Sequence, residues 1–466
     1  MGTGTSGSAA ETIPAALANA CSDIAAASDS DAIGGRQARF VAAPASANEA
    51  AALLRAAADL GLTVVARGSG SRQHWGAAPA SCDLIVDTRR LDRVVEHAAG
   101  DLVVTTQAGV RLDDLAAVLA TAGQRLALDS SSAGQREPAG TVGGMIATGA
   151  AGPLRYRFGG PRDLLIGITV VRADGTIARS GGKVVKNVAG YDLGKLFAGS
   201  FGTLGLITEA TFRLHPKPET STWIAVIEDN PQSAAETARA MADAPLAPSA
   251  IELSWPSAAD SIAVSVLLEG DRASVDGRAE RMMSLLTRGT AGSVARGTAG
   301  SPSGHTKRPD GRSAHPTLAA EGRDQTAPVH HRGRTASAAT TIRIAFWSGE
   351  LATVLGIIRE SGAQHGVDPA ISGSAGAGVL EVSVDHEVDA EAVAGFINEL
   401  RARLGAMAAG GVVPSVASAV VVQAPPEVRD SVEMWGPVPS LRLMRAVKDQ
   451  FDPEHRLAPG RFAGGI

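Results

Sequence analysis

Glycine places the tightest constraint on this chain. It makes up 54 of 466 residues, against ~7% in an average protein, and much of it is gathered into a few segments. A residue without Cβ lets the backbone approach another surface closely. In the first segment, Val64-Val65-Ala66 reads as a strand running into Arg67-Gly68-Ser69-Gly70-Ser71-Arg72. Successive backbone N–H groups in such a loop form a concave anion nest. Each charge-assisted bond to a phosphate is worth ~1.5–3 kcal/mol. The same loop also reads as an ordinary tight turn. The second segment, 140–152, is nearly all small residues. It suits a large flat ligand lying on the backbone, or a closely packed helix–strand crossing. The third comprises 181–193 and 199–208. There Lys186, Asn187, Tyr191 and Asp192 line a site or satisfy one another in a core, and spacing does not separate the two.

A nicotinamide-dinucleotide fingerprint fits poorly. Gly68 and Gly70 are present, and Asp87 lies 19 residues after Gly68, but position 73 is Gln. The stretch 73–82 holds Pro79 and no helical period, so no helix opens on the phosphates.

Charge excludes other classes. The chain has 43 Lys and Arg against 48 Asp and Glu, a net of −5, which does not drive nucleic-acid binding. Nine Phe, five Trp and two Tyr are too few for base-stacking platforms. Cys21 and Cys82 are the two cysteines, so neither a disulfide framework nor an iron–sulfur cluster is built from this chain. No apolar run approaches the ~18 residues of a membrane span, and no basic residue precedes Arg36, as a signal peptide would require. The expectation is a cytoplasmic protein. The myristoylation-like start, Met1-Gly2 to Ser6, is read as chance.

Along the chain, 1–35 reads as a flexible leader with a weak helical stretch at 13–27. Ser46-Ala47-Asn48-Glu49 has the capping-box spacing. It opens a helix through Leu53, Leu54, Ala57 and Leu60, closed by Gly61. Strands are predicted at 62–66, 84–86 and 102–106, and a helix at 112–122. Ala173-Asp174-Gly175 joins 165–171 to 176–178 as a hairpin. Leu204, Leu206, Ala210, Phe212 and Leu214 share one parity, so 204–214 is a half-buried strand. Strands at 224–227, 251–253, 262–268, 342–346, 379–384 and 419–422 alternate with helices at 232–242, 274–286, 351–360 and 391–404. That order gives an α+β layer.

The stretch 288–340 breaks the pattern. It carries eight Lys and Arg against three Asp and Glu, and Val294, Leu318 and Val329 are its large aliphatics. Too little apolar surface offsets the ordering entropy, which predicts a disordered basic insertion. His305, His315, His330 and His331 fall in it without a recurring ligand spacing. The expected domains are therefore 36–218, a second domain of 219–287 and 341–466, and the insertion between its halves.

Taken together, the 67–72 loop, Gly140-Thr141-Val142-Gly143-Gly144, Lys186-Asn187-Val188-Ala189-Gly190-Tyr191-Asp192 and Gly202-Thr203-Leu204-Gly205-Leu206-Ile207-Thr208 resemble a known family. It is the flavoproteins whose FAD-binding domain is shared by vanillyl-alcohol oxidase and p-cresol methylhydroxylase, and within it the FAD-binding subunit of bacterial glycolate oxidase. Residues 448–453 and 457–461 are similar to the family's closing segment. The resemblance implies a two-subdomain FAD-binding domain of the p-cresol methylhydroxylase type plus a ferredoxin-like α+β cap, with the C-terminal segment on the flavin side. By the same resemblance, Arg67, Gly68, Ser69, Gly70 and Ser71 would hold the FAD pyrophosphate, and Gly109 would lie near the adenine half. Asp129, Gly140, Thr141, Gly143, Gly144 and Thr148 would follow the ribityl chain and ring. Gly205 and Ile207 would meet the flavin through their backbone. Relatives with covalent FAD carry a histidine where Ser71 stands here, so non-covalent FAD is expected, with His74 outside the link.

The substrate-oxidising relatives carry a histidine/glycine/aspartate metal motif in the second domain. His365 and His386 stand apart here, and no metal ligands are assigned. The block written GSEG in the catalytic subunit is Gly199-Ser200-Phe201-Gly202 here. The role of His455 is open, and no catalytic residue is assigned. These features imply an accessory flavin subunit of a glycolate (2-hydroxy acid) oxidase, partnered by a second flavin subunit and an iron–sulfur subunit. The alternatives are a stand-alone FAD-dependent 2-hydroxy-acid or alcohol dehydrogenase, and a non-catalytic assembly subunit.

Overall fold

The computed structural model describes residues 13–129, 140–182, 192–289, 294–298, 338–410 and 417–466. Lys186, Asn187, Tyr191, the four insertion histidines and residues 1–12 lie outside them. The chain divides into two units, Met1–Ala151 with Gly160–Pro216 and Pro437–Ile466, and Gly152–Gly159 with Lys217–Gly436. Residues 437–466, read from sequence as the end of the second domain, thus belong to the first unit.

Residues 13–35 are not the flexible leader expected. Helix Ala15–Ala20 buries Leu17, and strand β1 (Ile24–Ala26) pairs antiparallel with β2 (Phe40–Ala42). Two more strands, β3 (Val64–Arg67) and β4 (Leu84–Asp87), complete a four-stranded sheet in the order β1-β2-β4-β3. The β2–β4 and β3–β4 pairs are parallel. Helix α1 (Ala47–Asp59) crosses over between β2 and β3. Its Ser46 cap accepts from Glu49 N at 3.1 Å, as the capping-box spacing predicts, while Glu49 turns back to Ala45 N at 2.8 Å. Leu53, Leu54 and Ala57 bury against Phe40, Leu84 and Val86 in the core of this layer.

A second sheet holds β5 (Val94–Ala98), β6 (Val103–Gln107), β7 (Leu165–Val171), β8 (Ile177–Gly181) and β9 (Leu206–Arg213) in the order β8-β7-β9-β6-β5. The 173–175 hairpin is present, with Val171 opposite Ile177. Strand β5 escaped the sequence reading because Val95 and Glu96 are exposed, so no alternation marks it. Between β6 and β7 come helix α2 (Leu112–Ala120) and the short helix α3 (Val142–Thr148).

The second unit is built from two copies of one βαββαβ motif. The first is β10 (Thr220–Glu228), α4 (Pro231–Asp243), β11 (Ala250–Trp255), β12 (Ile262–Gly270), α5 (Arg272–Gly289) and β13 (Val294–Thr298). The second is β14 (Ala338–Ala345), α6 (Leu351–Gln364), β15 (Ala370–Ser374), β16 (Val379–Asp385), α7 (Ala390–Gly410) and β17 (Ser418–Gln423). The sheet order is β13-β10-β12-β11-β15-β16-β14-β17. Each half is ferredoxin-like, and the halves join through antiparallel β11 and β15, with Leu253 opposite Gly373. The expected cap is therefore a pair of such modules in one eight-stranded sheet.

The insertion boundaries need correction. Val294–Thr298 is an edge strand paired with β10, and 338–340 already belong to β14. The junction between the two modules falls at 299–337, outside the described residues. Replacing 299–337 with a Gly/Ser linker of equal length is expected to leave flavin absorbance unchanged. A loss of absorbance would contradict this division.

Candidate functional site

The site grows from the C-terminal end of β3, where the parallel strand runs into the Gly68–Gln73 loop. Gly68 sits where no side chain fits. A Cβ there would lie 2.2 Å from Thr141 Oγ1. The loop closes on itself through Gln73 N to Gly70 O at 3.1 Å and Gln73 Nε2 to Ala66 O at 3.2 Å. Gly70 takes φ 78° with open space beside it.

Opposite this loop stands α3. Thr141 caps it, accepting from Gly144 N at 3.3 Å, and Thr148 Oγ1 donates to Gly144 O at 2.8 Å. Gly143 lets the helix sit directly on Ala108, 2.9 Å from where its Cβ would be. The close crossing read from the sequence is present, and the same segment also lines a cavity. The 199–202 loop packs on the far end of α3, with Phe201 N donating to Ala147 O at 2.8 Å.

These segments enclose a cavity of about 710 Å³, its open mouth included. Arg67, Gly68, Ser69, Gly70, Ser71, Thr141, Gly143, Gly144, Thr148, Gly205 and Ile207 all line it. Three expected residues do not. Gly109 packs where a Cβ would lie 2.0 Å from Thr88 O, and its N–H donates to Leu91 O at 2.8 Å. Gly140 accepts from Leu112 N and abuts the Arg72 guanidinium. Asp129 is the last described residue before 130–139. His74 is exposed and off the cavity wall. His455 pairs with Asp449 at 2.8 Å, also away from it.

The Arg67 side chain is a bracket for the loop. Nη1 donates to Asp31 at 2.7 Å and Nη2 to Asp87 at 3.4 Å. Asp31 is held down to about 2, chiefly by the Ser28 hydroxyl donating to it, against the opposing effect of burial and with Arg67 adding to the pull. A carboxylate lowered on folding stabilises above its unfolded value, near 4, and loses that contribution as pH falls through about 2. Asp31→Asn should flatten the acid limb of the stability curve between about pH 4 and 2. Identical limbs in an acid titration would remove Asp31 from this role.

Arg461 was missed by sequence reasoning as a lining residue. It is 5% exposed and reaches the cavity wall from the C-terminal segment. Nη2 donates to Gln73 O at 2.7 Å and Trp75 O at 3.2 Å. Nε is buried without a hydrogen-bond partner. Burial lowers the guanidinium to about 10, so it stays charged at neutral pH. The C-terminal segment is itself fixed by bonds of Val64 with Arg456 and Ala458, and by Lys448. Lys448 and Asp452 are both fully buried and pair at 2.6 Å. Lys448 Nζ also donates to Thr203 O at 2.8 Å and Leu457 O at 2.9 Å. Burial pushes its ammonium below the usual lysine range.

A glycine-lined loop, a small-residue helix face and a buried guanidinium whose Nε has no hydrogen-bond partner suit a long ligand with an anionic middle. The comparisons agree. Residues 38–181 match the family described as FAD binding domain. The chain contains an FAD-binding domain. It is 35% identical to glycolate oxidase subunit GlcD of Bacillus subtilis over 46% of this chain and 44% of that one. With glycolate oxidase subunit GlcE of Escherichia coli it shares 37% identity over 34% and 44%. With the D-lactate dehydrogenase of Archaeoglobus fulgidus it shares 36% over 43% and 45%. The chain thus spans under half the length of these relatives. In fold it is similar to p-cresol methylhydroxylase with substrate bound, at a TM-score of 0.70 and 15% identity over 96% of this chain and 95% of the other. Of the matched residues, all but 152–159 belong to the first unit.

Both cysteines are buried and free, and burial raises each thiol to about 11, so neither supplies a thiolate nucleophile at neutral pH. Among the described residues no cluster of His, Cys, Asp or Glu could hold a metal ion. No helix among them is long and apolar enough to cross a membrane.

Proposed function

We propose that this chain is an FAD-linked oxidoreductase of the 2-hydroxy-acid class, holding FAD non-covalently along the cavity of its first unit. The observation that carries this is the convergence of the 68–71 loop, the 141–148 helix and the 202–207 segment on one groove. Bound FAD would supply a ring that accepts a hydride equivalent and passes on one or two electrons. The chain's own residues bind and orient it. Backbone N–H groups of 68–71 would meet its phosphates, the Gly143–Gly144 face would admit its chain, and Gly205 and Ile207 would border its ring. Ser71 offers no imidazole for a covalent link.

Within that class the accessory flavin-subunit role is preferred, with a second flavin subunit and an iron–sulfur subunit as partners. Similarity to GlcE supports it. So does Phe201, which lines the cavity and stacks on Phe462 at 6.0 Å, in the block where the resemblance leads one to expect a glutamate in catalytic subunits. The second reading, a self-sufficient hydroxy-acid dehydrogenase, draws on the similarity to D-lactate dehydrogenase.

Anaerobic mixing with glycolate or D-lactate separates them. The flavin of the isolated chain should keep its colour, and it should bleach once the partner subunits are added. Bleaching in isolation would establish the second reading. Persistent colour with partners present would leave only an assembly role.

A further inference from the structure

We propose that Arg461 supplies the countercharge for the pyrophosphate of the dinucleotide, as a binding residue of the cavity; this rests on the FAD reading above. Arg461 is 5% exposed and lines the cavity. Among the described residues no carboxylate pairs with it, and its Nε has no hydrogen-bond partner. Its titratable neighbour, Cys82, is a buried thiol that stays neutral. A buried cation without an anion is costly. Holding two loop carbonyls needs only a neutral donor, so the clamp on Gln73 O and Trp75 O does not account for the charge.

The position points to phosphate. The carbonyls it holds belong to the turn that continues the Gly68–Ser71 nest, and the nest, Gln73 and Arg461 line the same cavity. The guanidinium fork suits a pair of phosphate oxygens, whereas an ammonium acts as a point charge. Backbone N–H groups and a full positive charge would then meet the diphosphate together. The cation comes from a segment about 390 residues further along the chain, so a correctly docked C-terminus is a condition for tight binding.

The test uses the full chain stripped of flavin, Arg461→Gln and Arg461→Lys, with FAD, ADP and riboflavin as probes. FAD and ADP share the pyrophosphate, and riboflavin has only the ring and ribityl chain. Titration followed by flavin fluorescence, with ADP read by competition, should show FAD weakened about tenfold to a hundredfold in Arg461→Gln. ADP should weaken by a similar factor and riboflavin stay unchanged. The FAD constant should lose about one unit of its dependence on log salt, and Arg461→Lys should recover part of the affinity. Wild type that binds FAD beside an Arg461→Gln chain that binds it equally well would overturn this inference alone. Equal weakening of all three probes would also overturn it, since that is the mark of a collapsed loop. Wild type that takes up no FAD would overturn the parent reading.

Discussion

A Gly68→Val chain is expected to purify without flavin. The new Cβ would fall 2.2 Å from Thr141 Oγ1 and 3.1 Å from its methyl group, so the loop or the α3 cap must move. Overpacking of this kind costs about 1–3 kcal/mol, and each phosphate hydrogen bond lost from the displaced nest costs about 1.5–3 kcal/mol. FAD affinity should therefore fall at least about a hundredfold. The second unit, whose sheet contains neither residue, should keep its own unfolding transition. A compensating pair sharpens the test. Gly68→Ala alone still meets Oγ1, whereas adding Thr141→Ala removes that atom and costs the helix cap about 1 kcal/mol. The double variant should bind FAD better than Gly68→Ala. Equilibrium dialysis reads both, and undiminished flavin content in Gly68→Val would remove the loop from the site.

The second large effect concerns stability. Lys448→Met strands the Asp452 carboxylate, which is wholly buried and otherwise accepts from the Arg456 and Leu457 amides. Breaking a buried pair from one side costs about 3–5 kcal/mol. At about 2–4 °C per kcal/mol, the first unit's transition should drop by roughly 6–20 °C in calorimetry. Adding Asp452→Asn removes the stranded charge and should return part of that loss. Lys448→Met also frees the Thr203 and Leu457 carbonyls, which anchor the 203–207 border of the cavity and the strand-like C-terminus. Flavin release should therefore accompany the fall. An unchanged transition would show that the pair is not the tie between these segments.

What the sequence showed, it showed through local signals. The absence of side chains at Gly68, Gly143, Gly144 and Gly205 is visible in the chain itself, and the need for close approach follows from it. The Ser46–Glu49 cap and the parity from Leu204 to Leu214 belong to the same kind. Residues whose meaning depends on distant packing stayed hidden. Arg461 falls in the segment that the resemblance puts on the flavin side, but its partners Gln73 and Trp75 lie 388 and 386 positions away. Lys448 falls in the same closing segment, but its bond to Thr203 O spans 245 positions. Gly109 carried the right signal with the wrong cause, since backbone at Thr88 and Leu91 fills the space it leaves. Strand β15, Ala-Ile-Ser-Gly-Ser, is too short and too small to show a period. That concealed the second ferredoxin-like module, although its helices and its other strands were visible.

The most direct measurement is a crystal structure of the chain grown with FAD. The account predicts one dinucleotide along the first unit's cavity, its pyrophosphate against 68–71 and Arg461, its chain beside Gly143 and Gly144, and its ring bordered by Gly205 and Ile207, with no bond to Ser71 or His74. Density for FAD anywhere else, or a groove left without it at saturating FAD, would contradict the account.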